Sequence, residues 1–236
     1  MRVKVTLVYN GTHYLGSQIQ TQTTNTIMGQ IQKVLTQLGI DSKIIASGRT
    51  DKAVHALGQV CHFDTPAFWD DTKKLKRVLN SMLPSSISIK HISKVSDDFH
   101  ARYCAKVRTY RYIIKQGESN PFEADLVTFI KRVDIDSLRK NIELFVGEHD
   151  FSSFMKTGSD INSSVREVYK AFVYEHKGYI VLIFSANGFL RSQIRLMVGA
   201  LLTLNAGEIQ KKLDNNSSKS LKPAPANGLY LSKISY

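Results

Sequence analysis

Apolar and polar residues alternate along the chain with two different periods, which separates predicted strands from predicted helices. The strand-like runs are residues 3–9, 43–47, 59–63, 87–95, 107–115, 167–175, 179–185 and 229–235, and the helical runs are 25–38, 71–83, 134–146 and 189–204. Asn25 is the expected N-cap of the first helix, and Gly39 and Gly147 are expected to end the first and third helices. The pattern predicts a mixed α+β protein.

The same order of elements (strand, helix, strand, strand, helix, strand) occurs twice, as in the ferredoxin-like split βαβ motif. Residues 1–98 form the predicted N-terminal half and residues 99–236 the C-terminal half. We expect the halves to join through a mixed or antiparallel sheet and to leave a central basic cleft, a usual place for a binding site. Residues 214–228 are expected to be a surface connection.

The net charge is the compositional feature that says most about the class of binding partner. The 236 residues include 32 Lys and Arg against 20 Asp and Glu, which gives a net charge of +12 and a pI near 9.6. The excess occurs in both predicted halves, +5 in residues 1–98 and +7 in residues 99–236. A polyanion is therefore the expected partner, nucleic acid before membrane. From the charge alone, a basic surface that only maintains solubility is the better interpretation.

The sequence argues against a secreted or organelle-targeted protein, a membrane protein and a zinc protein. The alternating N-terminus is unlike a signal or transit peptide, and Arg191 and Arg195 interrupt the most apolar run, so no membrane association is expected. Cys61 and Cys104 lack the spacing of a zinc site. We therefore expect a cytoplasmic protein that uses no metal and no cofactor.

The stretch SGRTDKAVHALGQVCHFDT, residues 47–65, places Arg49 and Asp51 in a loop between two predicted strands. Gly48 and Gly58 are the expected strand ends, so that the charged pair lies at the tip of a rigid support. On the tripeptide RTD alone, the better interpretation is an Asx-type turn in which Asp51 bonds the backbone and Arg49 reaches solvent.

A second chemical feature is FHARYCAKVRTYRYIIK, residues 99–115, which contains five cations, four aromatic residues and no acid. This mixture suits RNA, because cations bind phosphates and aromatic faces stack on unpaired bases. In a strand, Arg108, Tyr110 and Tyr112 share one face. An aromatic ladder packed in a core, with the arginines at its edge, explains the same pattern.

Arg191 and Arg195 lie four residues apart on a predicted helix that is otherwise apolar nearly all round. A solvated basic face is the usual explanation of such a pair. On so apolar a helix, however, an arginine is expected to be partly buried and to need a carboxylate partner, for which Asp51 is the candidate. A single aspartate without a metal or cofactor motif permits an isomerisation at a glycosidic carbon.

The segments GRTDKAVHALGQVCHF, FHARYCAKVRTYRY, GEHDFSSF, GFLRSQIRLMVG and GLYLSKISY resemble the successive motifs of the bacterial tRNA pseudouridine synthase A family, in family order and over nearly the whole chain. VYNGTHYLGSQIQ resembles the N-terminal strand and loop of that family. The resemblance implies a cofactor-free isomerase that converts uridine to pseudouridine at tRNA positions 38, 39 and 40, in the anticodon arm. It also implies a homodimer whose tRNA contacts both subunits.

The resemblance also implies roles for individual residues. Asp51 falls on the catalytic nucleophile and Arg195 on its ion-pair partner. Arg49 is expected to enter the stack vacated by the flipped base, and Tyr110 to stack on that base. The further RNA contacts expected are Phe99, His100, Arg102 and Arg108.

The chain departs from the family at three positions. Ala53 stands where glycine is usual, Ser17 where tryptophan is usual and Cys104 where serine is usual. These departures concern the flexibility of the loop and local packing rather than the chemistry.

Two other classes of function stay open. A tRNA-binding or folding module would use the basic residues and tyrosines without needing a pair of Asp51 and Arg195. An RNA hydrolase would normally show a metal cluster or a histidine-based acid and base pair. The histidines 13, 55, 62 and 100 are scattered along the sequence, which favours structural or RNA-facing roles for them.

Overall fold

The computed structural model describes residues 1–156, 158 and 162–236. In chain order its strands and α-helices are β1 (Arg2–Tyr9), α1 (Ile27–Gln37), β2 (Ile45–Ala46), β3 (His55–Asp64), α2 (Thr72–Met82), β4 (Ile87–Lys94), β5 (Val107–Gln116), β6 (Thr128–Ile130), α3 (Ile135–Ile142), β7 (Gly147–Asp150), β8 (Val165–His176), β9 (Tyr179–Ala186), α4 (Gln193–Thr203), α5 (Ala206–Leu213) and β10 (Leu229–Ser235). The predicted α+β class is confirmed. The chain forms two compact units, one of residues 1–106 and 230–236 and the other of residues 107–229.

The first unit contains a sheet with the strand order of the ferredoxin-like motif. Strand β1 pairs antiparallel with both β3 and β4, and β2 pairs antiparallel with β3. The alternate residues Val3, Val5 and Leu7 of β1 are buried. The buried residues of α1 recur at helical spacing, as in Ile27, Ile31 and residues 34 and 35. Period-2 and period-3.6 patterns therefore meet in one core, as the sequence predicts.

The last strand of the chain lies in this first unit. Strand β10 runs parallel to β3, with Tyr230 opposite His55 and Leu231 opposite Ala56. Gly58 lies inside β3, so the prediction that it ends a strand is wrong. A Cβ at Gly58 would lie 2.5 Å from the Ser232 carbonyl oxygen, which shows why this position of β3 lacks a side chain. The predicted division of the chain at residues 98 and 99 stays a prediction.

In the second unit the strands pair in the order β5, β9, β8, β7, and all neighbouring pairs are antiparallel. Strand β6 adds to β5 in a parallel direction. The predicted hairpin of β8 and β9 is confirmed, whereas the sequence patterns did not predict β6, β7 or α5. Helix α5 begins with a capping box in which Asn205 and Glu208 bond each other's backbone. The N-x-x-E spacing of such a box is visible in the sequence and indicates a helix start.

Two predicted helix starts are wrong. Thr26, not Asn25, caps α1, because its Oγ1 accepts a hydrogen bond from the Gly29 amide at 3.1 Å while Asn25 donates to the carbonyl of His13. Helix α4 begins at Gln193 instead of residue 189. Ser192 has a left-handed backbone with φ of 60°, which interrupts the helix that the apolar pattern predicts.

The connection at residues 214–228 is more than a surface segment. Ala224 is buried, and the Tyr112 hydroxyl donates to the carbonyl of Pro225 at 2.9 Å. A Cβ at Gly199 of α4 would lie 2.1 Å from the Lys222 carbonyl oxygen. The end of the connection is therefore packed against α4 and β5. Among the described residues, none of the helices has the length and apolar character needed to cross a membrane.

The contact between Gly58 and β10 predicts a position-specific loss of stability. Gly58→Ala should lower the free energy of unfolding by about 1–3 kcal/mol, because the new methyl group must displace the backbone of β10. Chemical denaturation measures this difference. Gly207→Ala is the matched control: a Cβ there meets only ordinary contacts, and alanine is the better helix former, so equal or higher stability is expected. Equal stability of both variants would contradict the proposed steric cause.

Candidate active site

The loop that carries Arg49 and Asp51 is anchored by the buried residue between them, Thr50. The Ser17 hydroxyl oxygen accepts a hydrogen bond from the Thr50 amide at 2.8 Å, and the Ser17 amide donates to the Thr50 carbonyl at 3.0 Å. Both backbone groups of Thr50 are thus bound by one residue. Arg49 is exposed and Asp51 is half-buried, so the two charged side chains flank an inward-facing anchor.

Side chains from two strands add to this anchor. The Tyr9 hydroxyl of β1 lies 2.8 Å from Thr50 Oγ1, and Gln59 Nε2 of β3 donates to the Gly48 carbonyl at 2.8 Å. Burial raises the pKa of the Tyr9 hydroxyl to about 12, so this group stays protonated at neutral pH. The loop is therefore held at its start and at its centre by the sheet of the first unit.

The segment before α1 connects the loop to that helix. The carbonyls of Gly16 and Ser17 accept hydrogen bonds from the amides of Ile27 and Met28, which are the first residues of α1. Gly16 has φ of 105°, and a Cβ there would lie 3.0 Å from the Thr50 carbonyl oxygen. Ser17 thus links the N-terminus of the helix to the backbone beside Asp51. The sequence patterns did not identify this role; Ser17 was noted only as a departure from the family.

The turn after Asp51 is closed by the backbone, because the Val54 amide donates to the Asp51 carbonyl at 3.2 Å. Ala53 has a left-handed backbone with φ of 63°. This conformation costs an L-residue with a side chain about 1–2 kcal/mol, whereas glycine adopts it freely. Glycine, which the resemblance predicts at this position, would adopt this conformation without strain. Ala53 adopts it at the cost of local strain.

The exit of the loop packs against the N-terminal segment. The Gly11 amide donates to His55 Nδ1 at 3.0 Å, and the His55 ring stacks on Tyr230 with 4.6 Å between ring centroids. A Cβ at Gly11 would lie 2.0 Å from the Val54 carbonyl oxygen. His55 is buried and belongs to the support of the loop.

The second unit holds the tyrosines predicted on one strand face. Tyr110 is 8% exposed and meets Phe189 edge-on, with ring centroids 5.4 Å apart. Tyr112 is fully buried, and its hydroxyl lies 2.7 Å from Thr128 Oγ1. Burial raises the pKa of Tyr112 above its ordinary value, against smaller opposing effects of Thr128 and the charge of Arg195. Tyr112 is therefore a core residue, whereas Tyr110 keeps a small exposed area.

Arg195 lies half-buried on α4, as the apolar helix predicts. Its Nε donates to the carbonyl of Ala224 at 2.7 Å, and its own carbonyl accepts from the Ala224 amide at 2.8 Å. These two bonds fix where the guanidinium lies in the second unit. Asp51 belongs to the first unit, so the pairing of the two charges stays a prediction. Arg108, also in the second unit, donates to the carbonyl of Asn187 at 2.9 Å.

The remaining predicted RNA contacts lie in the first unit. Phe99 packs between Tyr236 and His62, with ring centroids 5.0 and 6.1 Å away. His100 stacks on Tyr103, and the Arg102 guanidinium lies 5.9 Å from the Tyr103 ring centroid. Tyr103 lies inside the aromatic and basic segment of residues 99–115, and its exposure distinguishes it from the other tyrosines of that segment.

A family model described as tRNA pseudouridine synthase matches residues 7–104 and 142–236, which include the anchored loop and α4. The chain belongs to this family. Asp51 and Arg195 lie within the matched segments, whereas Arg108 and Tyr110 lie between them. Membership makes the chain a pseudouridine synthase, an isomerase.

Relatives over the whole chain carry the same description. A tRNA pseudouridine synthase A of Exiguobacterium sp. is 40% identical and covers 100% of this chain and 98% of its own length. The synthases A of Campylobacter jejuni and Limosilactobacillus reuteri are 36% and 38% identical and cover 100% of this chain, and 100% and 96% of their own lengths. A solved Cbf5–Nop10–Gar1 complex is similar at 14% identity and a TM-score of 0.40, over 85% of this chain and 45% of that one.

The anchor at Thr50 generates a prediction for this synthase. Ser17→Ala removes the acceptor of the buried Thr50 amide, so the free energy of unfolding should fall by about 1–3 kcal/mol. The rate of pseudouridine formation with saturating enzyme should also fall, while the Kd for tRNA changes little, because the loss affects the placement of Asp51. Denaturation, single-turnover kinetics and filter binding measure the three quantities.

Ser86→Ala is the matched control, because it deletes a hydroxyl that bonds the Tyr14 hydroxyl at 2.6 Å without contacting Thr50. It should lower stability and leave the saturated rate unchanged. A wild-type saturated rate for Ser17→Ala would contradict a positioning role for Ser17.

Proposed function

We propose that this synthase isomerises uridine to pseudouridine at three neighbouring positions on the 3′ side of the tRNA anticodon arm, with Asp51 as its catalytic residue. The observation that carries the proposal is the anchored loop, in which buried Thr50 is bound on both sides by Ser17 and Asp51 follows directly. A rigid support of this kind suits a group that must meet a reacting atom at a fixed place. The family and its named relatives support the choice of reaction and of tRNA as the substrate.

The reaction itself places few demands on the protein. The bond between N1 of uracil and C1′ of the ribose breaks, the base turns, and C5 bonds to C1′ while its proton leaves and N1 regains one. No atom is gained from or lost to another substrate. One ionised carboxylate, in the role of nucleophile that Asp51 is proposed to have, together with a pocket that retains the base, meets these demands.

The target base must first leave its helical stack, at a cost of a few kcal/mol. Tyr110 is proposed to stack on the flipped uracil, since stacking on an aromatic ring contributes about 1–3 kcal/mol per base. The edge contact with Phe189 supports this role, because it holds the Tyr110 ring in one orientation. Arg49, exposed beside Asp51, is proposed to occupy the vacated stack.

Arg195 is proposed to form an ion pair with Asp51, in which the guanidinium offsets the charge of the carboxylate. The bonds of Arg195 to Ala224 support the proposal because they fix an otherwise flexible side chain on α4. No cofactor is required by this scheme.

The +12 charge supports tRNA binding in a basic cleft between the predicted halves. Phe99, His100, Arg102 and Arg108 are proposed as further RNA contacts. A homodimer in the cytoplasm, with each tRNA contacting both subunits, completes the proposal.

Asp51→Asn tests the catalytic assignment most directly, because it keeps the size of the side chain and removes its charge. The variant should melt at the wild-type temperature, bind tRNA as tightly or more tightly, and form no pseudouridine in unmodified tRNA. Melting, filter binding and carbodiimide mapping on one preparation measure these properties. Asp41→Asn, at an exposed position outside the anchored loop, is the charge-matched control and should be fully active.

The alternatives predict different results for the same variant. A binding module without catalysis shows no pseudouridine with either protein. An aspartate that only shapes the turn gives reduced stability with residual activity. Cleaved tRNA with the wild-type protein would indicate a hydrolase, and wild-type amounts of pseudouridine from Asp51→Asn would refute the role of Asp51.

The charge makes a separate prediction for affinity. If six or more phosphates are contacted, the affinity for tRNA should fall by about 10³-fold or more between 50 and 200 mM salt, through counterion release. Filter binding over this range measures the slope. A flat response would contradict a basic cleft that binds the RNA backbone.

A further inference from the structure

An exposed aromatic stack lies on the first unit, formed by His100 and Tyr103. Their ring centroids are 4.3 Å apart with an angle of 27° between the planes. The Tyr103 side chain is 77% exposed, although it is large and mostly apolar. His100 covers one face of the Tyr103 ring, and the exposed remainder of the ring is available to a ligand.

Hydrogen bonds to the backbone of residues 101–103 hold the stack in place. His100 Nδ1 accepts hydrogen bonds from the amides of Arg102 and Tyr103, each at 3.2 Å, which fixes the ring of His100 against its own turn. The buried amide of Ala101 donates to Nδ1 of His62 at 3.1 Å, and His62 meets His100 edge-on at 4.8 Å. Burial, followed by the electrostatic effects of the neighbouring His100 and Arg2, lowers the pKa of His62 to about 4, so at neutral pH the uncharged ring keeps this acceptor.

The surroundings of the stack contain cations and aromatic rings, and the exposed acids Asp97 and Asp98 precede His100 in the chain. The Arg102 guanidinium lies 5.9 Å from the Tyr103 ring centroid, and Lys4 Nζ lies 5.8 Å from that of Phe99. Asp64, the acid nearest to His62 along β3, is paired with Arg2 at 2.8 Å. A preformed aromatic face beside an arginine is the surface on which an unpaired nucleic-acid base stacks.

The stack lies at the opposite end of β3 from the loop that carries Asp51. The loop leads into β3 at His55, whereas the stack is fastened to His62, seven residues further along the strand. At about 3.3 Å per residue, the two points are roughly 23 Å apart. Stacked nucleotides rise about 3.4 Å each, so points this far apart along β3 are separated by several stacked steps.

We propose that the His100–Tyr103 stack binds an unpaired base of the tRNA other than the uridine that is isomerised. The inference rests on the proposed function only in taking tRNA as the substrate. The contact supplies affinity and alignment of the tRNA, and takes no part in the chemical step. A sequence-tolerant stack fits this task, because every base presents a π-face.

The test compares affinity with the chemical rate. Tyr103→Ala should raise the Kd for unmodified tRNA by about five- to 100-fold, the range expected for the loss of one stacked base. Its single-turnover rate with saturating enzyme should stay within twofold of wild type. Tyr103→Phe keeps the ring and should bind as wild type does. Phe68→Ala is the matched control: Phe68 is 66% exposed in the same unit but lies beside Gly39 at the end of α1, and the change should affect neither quantity.

Chemical probing of the bound tRNA locates the contact. At enzyme concentrations that saturate each complex, at least one unpaired nucleotide away from the target uridine should be protected by wild type and by Tyr103→Phe, and reactive with Tyr103→Ala. A wild-type Kd for Tyr103→Ala would overturn the proposal, as would a lower saturated rate at an unchanged Kd or a difference in protection confined to the target uridine. Activity of Asp51→Asn would refute the catalytic assignment instead, without changing these outcomes.

Discussion

The hydrogen bonds between Ser17 and the backbone of Thr50 form the contact on which the candidate site depends. Thr50 is buried, so its amide and carbonyl must be bound within the protein, and Ser17 binds both. With this residue fixed inward, its neighbours Arg49 and Asp51 lie nearer the surface on either side. The carboxylate proposed to act on RNA therefore owes its place to buried neighbours.

The same region contains two positions, Ser17 and Ala53, at which the resemblance predicts other residues. Ser17, at a position where the resemblance leads one to expect tryptophan, supplies an acceptor for a buried amide. Ala53 adopts a left-handed backbone that suits glycine. The turn between Asp51 and Val54 forms nevertheless, because the anchor at Thr50 and the close contact of Gly11 with Val54 determine the path of the loop.

In the second unit, the segment before β10 likewise positions a side chain of the candidate site. Residues 222–225 pack on α4 and β5, where Ala224 bonds Arg195 and the Pro225 carbonyl accepts from Tyr112. A half-buried arginine and a buried tyrosine hydroxyl both need such partners, since an unmet polar group in a core costs about 1–3 kcal/mol. A segment that has the composition of a surface loop thus orients the arginine proposed to pair with Asp51.

The sequence by itself determined the class of fold, most strands and helices, the family, and the residues proposed for catalysis, because periodicity and short motifs are local properties of the chain. It did not determine that Gly58 lies inside β3, that β10 returns to the first unit, or that Ser17 binds Thr50. It also did not distinguish Tyr103 from the other aromatic side chains of residues 99–115. Each of these depends on groups far apart in sequence, Gly58 against Ser232 or Ala101 against His62, whose approach follows from strand pairing and packing. Only the tertiary structure, which decides which distant groups meet, contains that information.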